Sequence, residues 1–420
     1  MTEIANWDWE PGEKKIAFGE WGDQFTWVEE PQASPDGEKV AAIVNVDEGE
    51  FKVCVNGTPW EETFEKIWYL RFSPDGRLTA IVADMGEWTL AVDGVPWENM
   101  YDYLWNTQFS EDGKKIAAAV QKEMTYSMAV DGVAWEEQYT SMNHFAVSRD
   151  GAATAASVQV ESYGEADIAK FQEGAFTAAL NGKAWDSRFV NVWNMVISDD
   201  GKQLAAEVRT TLYDYTIAVG GKTWEKTYTS VWEPVFNPLT GAVVAPVRID
   251  GKWALAADGK LLWDRKFVQL WHQVFSPDGQ KIAAVVAPAY GKWTVAIDQQ
   301  PWSVTFDDLV EDVAFSPDSK RVAALGKNGS SWHVAVDGAA WKNSFDMAWQ
   351  PVFSPGGETV AVRVEKNGKY TIALNDKLWK QECDALWNPV FSPDGDKLLV
   401  RSVEAGVYHR RVVSVAEFTR

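Results

Sequence analysis

Four carboxylates crowd one short stretch of this chain: Asp307, Asp308, Glu311 and Asp312. Such a cluster can hold a cation or meet a basic protein surface, and it is the candidate partner-binding site the sequence offers. A solvated acidic edge is the structural alternative. The other residue types that do chemistry are scattered. His144, His272, His333 and His409 show no zinc-ligand spacing and read as packed or surface histidines. Cys54 and Cys383 belong to no Cys-x-x-Cys or Cys-x-x-Cys-His phrase. Neither an iron–sulfur cluster on the chain's own thiolates nor a covalent c-type haem is therefore expected, and both residues read as buried free thiols. There is no Gly-x-Ser-x-Gly elbow and no Gly-rich phosphate loop. The expectation is a chain with no catalytic residue, no cofactor of its own and no metal ligand.

Two further groups look chemical and are better read through their spacing. Asn56, Asp93, Asp131, Asn181, Asp258 and Asp337 each precede a glycine at a constant place in a repeat, which marks hairpin turns rather than metal ligands. Arg209, Arg248, Arg363 and Arg401 fall late in second strands of that repeat, where they would line a channel or simply balance charge.

The repeat is what must position all of these. A Ser-Pro-Asp-Gly turn, or a degenerate form of it, starts at Ser34, Ser73, Ser110, Ser148, Ser198, Asn237, Ser276, Ser316, Ser354 and Ser392. A period near 39 residues with strand-like content means a repeat architecture. In one unit, Trp105–Ser110, Lys115–Val120, Tyr126–Val130 and Trp135–Tyr139 read as four strands joined by short turns, the size of a propeller blade. The fold class expected is all-β: a β-propeller of about ten four-stranded blades over residues 1–420 as a single domain, with an insertion at about 161–174.

Aromatic residues recur at fixed offsets from the turn serine, and those slots hold 21 of the 24 tryptophans. They are expected to pack blade on blade. The chain starts and stops in mid-unit: 397–401 and 407–413 read as second and third strands without a fourth. The N-terminal segment around Trp21 to Phe25 is expected to supply it and close one ring, leaving no open edge. Two five-bladed propellers are the alternative.

A formal charge of −22 and a pI near 4.6 argue against nucleic acid and against an anionic membrane surface as partners, and favour solubility and basic partners. No apolar run reaches membrane-spanning length, and the first ten residues do not read as a signal peptide. A cytoplasmic protein with no direct membrane insertion is expected.

The phrases Phe275-Ser276-Pro277-Asp278-Gly279 and Phe391-Ser392-Pro393-Asp394-Gly395 resemble the repeat of WD40-like and TolB-like propellers. A narrower resemblance rests on the tryptophan-rich units, on the Asp-Gly-x-x-Trp-Glu phrases at 93–98 and 131–136, and on Trp7-Asp8-Trp9-Glu10-Pro11-Gly12. These are similar to the tryptophan-rich D subunit of the Tmc transmembrane redox complex of sulfate-reducing bacteria. The resemblance implies a cofactor-free cytoplasmic subunit, peripheral to the inner membrane. Its partners, cytochrome c, iron–sulfur and membrane cytochrome subunits, would carry the cofactors. Two functions follow as expectations: a non-catalytic interaction subunit of such a complex, or a stand-alone propeller binding a small ligand or peptide in its central channel.

Overall fold

A computed structural model describes residues 4–162 and 167–419. The chain is all-β and forms ten antiparallel sheets, the blades of a β-propeller, numbered here by their turn residues from Ser34 (blade 1) to Ser392 (blade 10). Two compact units contain five blades each. One spans Glu62–Lys266 and holds blades 2 to 6; the other joins the segment ending at Glu61 to the chain from Phe267 onward and holds blades 7 to 10 and blade 1.

Blade 3 shows how the residues build a sheet. Its first strand is Tyr103–Phe109, its second Ile116–Lys122, its third Thr125–Val130 and its fourth the dipeptide Val133–Ala134. The second strand carries a run of Ala and Val buried on both faces, as expected of a strand covered by neighbouring sheets. The fourth strand is not the expected Trp135–Tyr139 but the dipeptide before it. The chain leaves the ladder after Ala134, and Tyr139 returns only as a single bridge to Tyr126. The same bridge pairs Trp88 with Tyr101, Phe176 with Phe189, Tyr215 with Tyr228, Trp293 with Phe306 and Trp332 with Phe345. Two aromatic slots of the repeat are thus two ends of one bridge.

The Ser-Pro-Asp-Gly serines are buried because each does a turn's work. In blade 3 the Ser110 hydroxyl donates to Asp112 Oδ1 (2.7 Å) and accepts from the Lys115 amide (3.0 Å). The Asp-Gly pairs are turns, as their spacing predicts. Asp131 has φ +48°, and its carboxylate accepts the Ile116 amide (3.0 Å), tying the hairpin to the second strand. The glycine that follows is also a packing requirement. A Cβ at Gly132 would lie 3.2 Å from the Trp97 ring, at Gly182 3.1 Å from Trp135, and at Gly221 3.2 Å from Trp185. The tryptophan of one blade lies on the turn of the next, so the two recur together.

The apolar clusters lie between blades rather than inside them. One gathers Trp88, Leu90, Leu104 and Val120 from blades 2 and 3; another gathers Leu325, Val334, Val362 and Val364 from blades 8 and 9. Nearest-neighbour burial of this kind is the energetic logic of a repeat protein.

The first strand has two forms, decided by one residue. Where no proline intervenes, the strand is continuous and bulged, and the bulge residue takes a left-handed backbone: Tyr69, Asn106, His144, Asn194, His272 and Asp312, with φ of +40° to +57°. Asn, Asp and His tolerate that conformation; Tyr69 does so less readily. Where Pro31, Pro351 or Pro389 follows that position, the strand splits into two short pieces, because the residue before a proline is held extended. Those three blades count as five-stranded sheets for this reason.

An N-terminal strand does complete blade 10, but it is not Trp21–Phe25. Gly12–Ile16 pairs antiparallel with Val407–Ser414, from Gly12 opposite Val412 to Ile16 opposite Tyr408. Trp21 lies in a short 3-10 turn and is buried with Val403 and Tyr408 instead. Ion pairs fasten the strand, Arg411 Nε to Glu13 (2.7 Å) and Lys14 to Glu38 (2.8 Å), and His409 Nδ1 lies within hydrogen-bond distance of Glu13 (2.7 Å). The expected insertion at 161–174 lies partly outside the described residues; its described part carries the helix Ile168–Glu173, begun by Asp167, whose carboxylate accepts the Lys170 amide.

Candidate functional site

The four clustered carboxylates fall into two pairs at the first strand of blade 8, and among the described residues only the first pair is bonded. Asp307 and Asp308 lie at the mouth of the first strand. Asp307 pairs with Lys292 (2.5 Å), and Asp308 Oδ2 accepts the Gly329 amide (2.5 Å). Glu311 stands opposite Leu325, the register that Trp105 occupies opposite Ala119, and Asp312 is the left-handed bulge residue. Burial, and for Glu311 the neighbouring Asp312, push both carboxyls upward. The four do not converge on one point, and among the described residues no three His, Cys, Asp or Glu side chains form a ligand group.

Three of the four arginines serve backbone or aromatic rings. Arg209 donates to the carbonyls of Thr211 and Leu212. Arg248 is exposed. Arg363 lies 3.9 Å over the Trp349 ring and donates to Leu386 O, and Arg401 is buried and donates to Ser34 O and Asn388 O. Arg363 and Arg401 belong to blades whose first strand is split by proline, and they cap carbonyls in that region. Burial pushes the two thiols up, Cys54 to about 11 and Cys383 to about 12, so both are inert at neutral pH.

Two features escape a reading of single residue types. Glu207 stands beneath the bulge of blade 5, where the equivalent residues of blades 2, 3 and 7 are Ile81, Ala119 and Val285. It is 6% exposed, it accepts a hydrogen bond from Asn194 Nδ2 (2.8 Å), and burial pushes its carboxyl to about 7. The second feature is a cleft of about 480 Å³ between the first strands of blades 2 and 3. Trp68, Tyr69, Tyr103 and Trp105 wall it, Ile81 and Leu104 floor it, and Asn106 and Gln121 supply the amides. Trp68, Tyr69 and Tyr103 are 55%, 56% and 59% exposed. This corrects the expectation that every slot tryptophan packs blade on blade: the other tryptophans five residues before the turn are half-buried or, at Trp232, 37% exposed. The signal lay in Tyr69 and Tyr103, aromatics outside the repeating slots, with Tyr69 in a bulge that favours Asn or His.

Rigidity behind the walls makes the cleft a standing feature. Trp68 stacks on Trp88 at 4.4 Å, and Trp105 meets Tyr126 and Phe145 edge-on at 6.1 and 6.0 Å. Arg71 lies 5.0 Å over the Tyr69 ring and donates to Thr107 O (3.0 Å). The hairpins that join second to third strands in the same unit expose apolar residues at successive blades: Met85, Met124, Ile168 and Tyr213.

No protein-family model and no curated protein matches this chain. Among solved structures, one described as the crystal structure of the eukaryotic initiation factor aligns over 77% of this chain and 91% of its own, at 14% identity and a TM-score of 0.46. A likeness of that size bears on neither fold nor function; the ten blades and their turns are what make this chain a propeller, consistent with WD40-like and TolB-like repeats.

Proposed function

We propose that this protein is a non-catalytic, cytoplasmic interaction subunit of a membrane-associated electron-transfer complex, related to the tryptophan-rich D subunit of the Tmc complex. It would sit at the inner membrane through partner subunits. In this reading the cytochrome c, iron–sulfur and membrane cytochrome subunits hold the redox centres, and this chain holds them in place. The supporting observation is the run of exposed apolar side chains on consecutive blades, from Met85 and Met124 to Ile168 and Tyr213, in the unit that also holds the aromatic cleft. Isolated exposed apolar residues need no explanation, but repeated ones on neighbouring hairpins of one unit are what a docking surface needs. The identity of the complex comes from the sequence resemblance alone. No helix among the described residues is long and apolar enough to cross a membrane, which agrees with attachment through partners.

The test is affinity purification of the chain from gently solubilised native cells, with a visible spectrum of the eluate. Haem absorbance with a membrane cytochrome in stoichiometric yield is the expected result. A colourless, solitary chain would sink the reading.

A further inference from the structure

The cleft between blades 2 and 3 has a definite chemical character. Nothing that walls or floors it carries charge at neutral pH. The neighbouring cations are already committed, Lys122 beside Gln121 by donating to Met100 O. Arg71 is stacked on Tyr69 and bonded to its hydroxyl and to Thr107 O, and Lys66 lies over the Trp88 ring that backs Trp68. A cationic ligand would meet these charges, and an anionic one would find no free guanidinium. The occupant of the trough itself is therefore neutral. The Asn106 and Gln121 amides make no hydrogen bond among the described residues and are open to a ligand.

The surroundings carry the opposite information. Asp84 and Glu87 flank Met85, Glu123 precedes Met124, and Asp102 adjoins Tyr103, all exposed on the adjoining hairpins and strand start. The partner must pair a neutral, ridged centre with positive charge beside it. A polyproline II helix fits the first need. Its pyrrolidine rings drop between aromatic ridges, its unpaired carbonyls accept from amide and indole N–H groups, and it is already ordered before binding. Flanking Lys or Arg meets the acidic rim.

We infer that this cleft binds a proline-rich segment in the polyproline II conformation, flanked by basic residues and carried by a partner protein. It rests on the reading of the chain as an interaction subunit and names the chemistry of one contact.

The probe is a fluorescein-labelled peptide of six prolines with two arginines at one end, titrated with the full chain and followed by anisotropy. Saturable binding that weakens with added salt is expected. Trp68→Ala and Tyr103→Ala should each weaken it about tenfold, close to 1.4 kcal/mol. Both side chains are more than half exposed, so a single cooperative melting transition close to the parent's certifies folding. Tyr290→Ala, at an exposed hairpin tip of the other unit, should leave binding unchanged. Equal binding of a glycine–serine peptide with the same arginines would overturn the assignment, as would full binding by the Trp68/Tyr103 double variant. So would a chain that ignores the peptide but binds cellohexaose there, or that buries the cleft in a dimer. A chain that copurifies with haem subunits yet ignores the peptide overturns this inference and leaves the interaction-subunit reading standing. A chain that binds the peptide but is isolated alone and colourless does the reverse.

Discussion

At the scale of residues, the same type does opposite work depending on what lies behind it. Trp253 is 4% exposed and stacks on Trp232 at 5.3 Å, whereas Trp68 turns more than half of itself to water. Trp253→Ala should lower stability by about 3–5 kcal/mol, and Trp68→Ala by about 1 kcal/mol, the stacking on Trp88 alone; paired thermal melts check the contrast. Glu207 offers a second test. Its carboxyl is raised to about 7, so the folded state favours the neutral form. That contribution is complete below the ordinary glutamate range and is lost as pH rises through about 7. Glu207→Gln should melt with the parent protein at pH 4.5 and above it at pH 8.5, by an amount on the order of 2 kcal/mol. Equal melting at both pH values would show that Glu207 reaches water. Glu13 has the opposite sign. Burial pushes its carboxyl up, but bonds from His409, Lys15 and Arg411 prevail and hold it at about 2. Its stabilisation is full above the ordinary glutamate range and is lost as pH falls toward 2. The gap in melting temperature between the parent and Glu13→Gln should therefore close on acidification.

At the scale of the element, what a repeat demands of a strand can be read by asking where the backbone comes close. Gly326 occupies the second strand of blade 8, and a Cβ there would lie 2.3 Å from the Phe306 ring. Phe306 is buried and has nowhere to retreat. Gly326→Ala should cost about 1–3 kcal/mol by overpacking, and a second change of Phe306 to Leu should recover part of it; additive losses in the double variant would mean the contact is not the cause. The blades, the turn roles of Ser110 and Asp131, and the all-β class were legible in the sequence, because a period-39 phrase repeats local rules of turn and alternation ten times. The place of the fourth strand was not. Trp135 and Tyr139 look like alternating strand residues, yet the turn tryptophan is pulled onto the neighbouring blade, a demand of packing that no single blade encodes. The cleft stayed hidden for a related reason: slot membership predicts that a tryptophan faces a neighbour, and only the three-dimensional gap at Tyr69 and Tyr103 decides how much of Trp68 is left uncovered.

At the scale of the whole molecule, the decisive contact joins residues some 400 positions apart in sequence, between Gly12–Ile16 and Val407–Ser414. Without that strand, blade 10 would present Val407–Ser414 as an eight-residue edge with open amides and carbonyls. The chain's charge of −22 gives general resistance to association. The edge itself is locally basic, with His409, Arg410 and Arg411 in succession. In the intact chain the two arginines are paired: Arg410 with Glu38 (2.9 Å), with further bonds to Asp36 O and Asp8 O, and Arg411 with Glu13 of the N-terminal strand and with Glu404 of its own blade. Deleting residues 1–16 removes the strand and the Glu13 carboxylate at once. Arg410 keeps Glu38 and Arg411 keeps Glu404, but the strand edge is left with open amides and carbonyls and without the Glu13 carboxylate, which invites pairing with other copies. The truncated chain should associate at low salt and melt at a lower temperature than the parent. A peptide spanning residues 4–20, added in excess, should bind it and restore a monomeric sedimentation profile. The same peptide with Glu13 replaced by Lys should bind less well, and the difference should shrink as salt rises. If the truncated chain stays monomeric and takes up neither peptide, the strand is an ornament of blade 10 and closure is carried instead by the Trp21, Val403 and Tyr408 cluster.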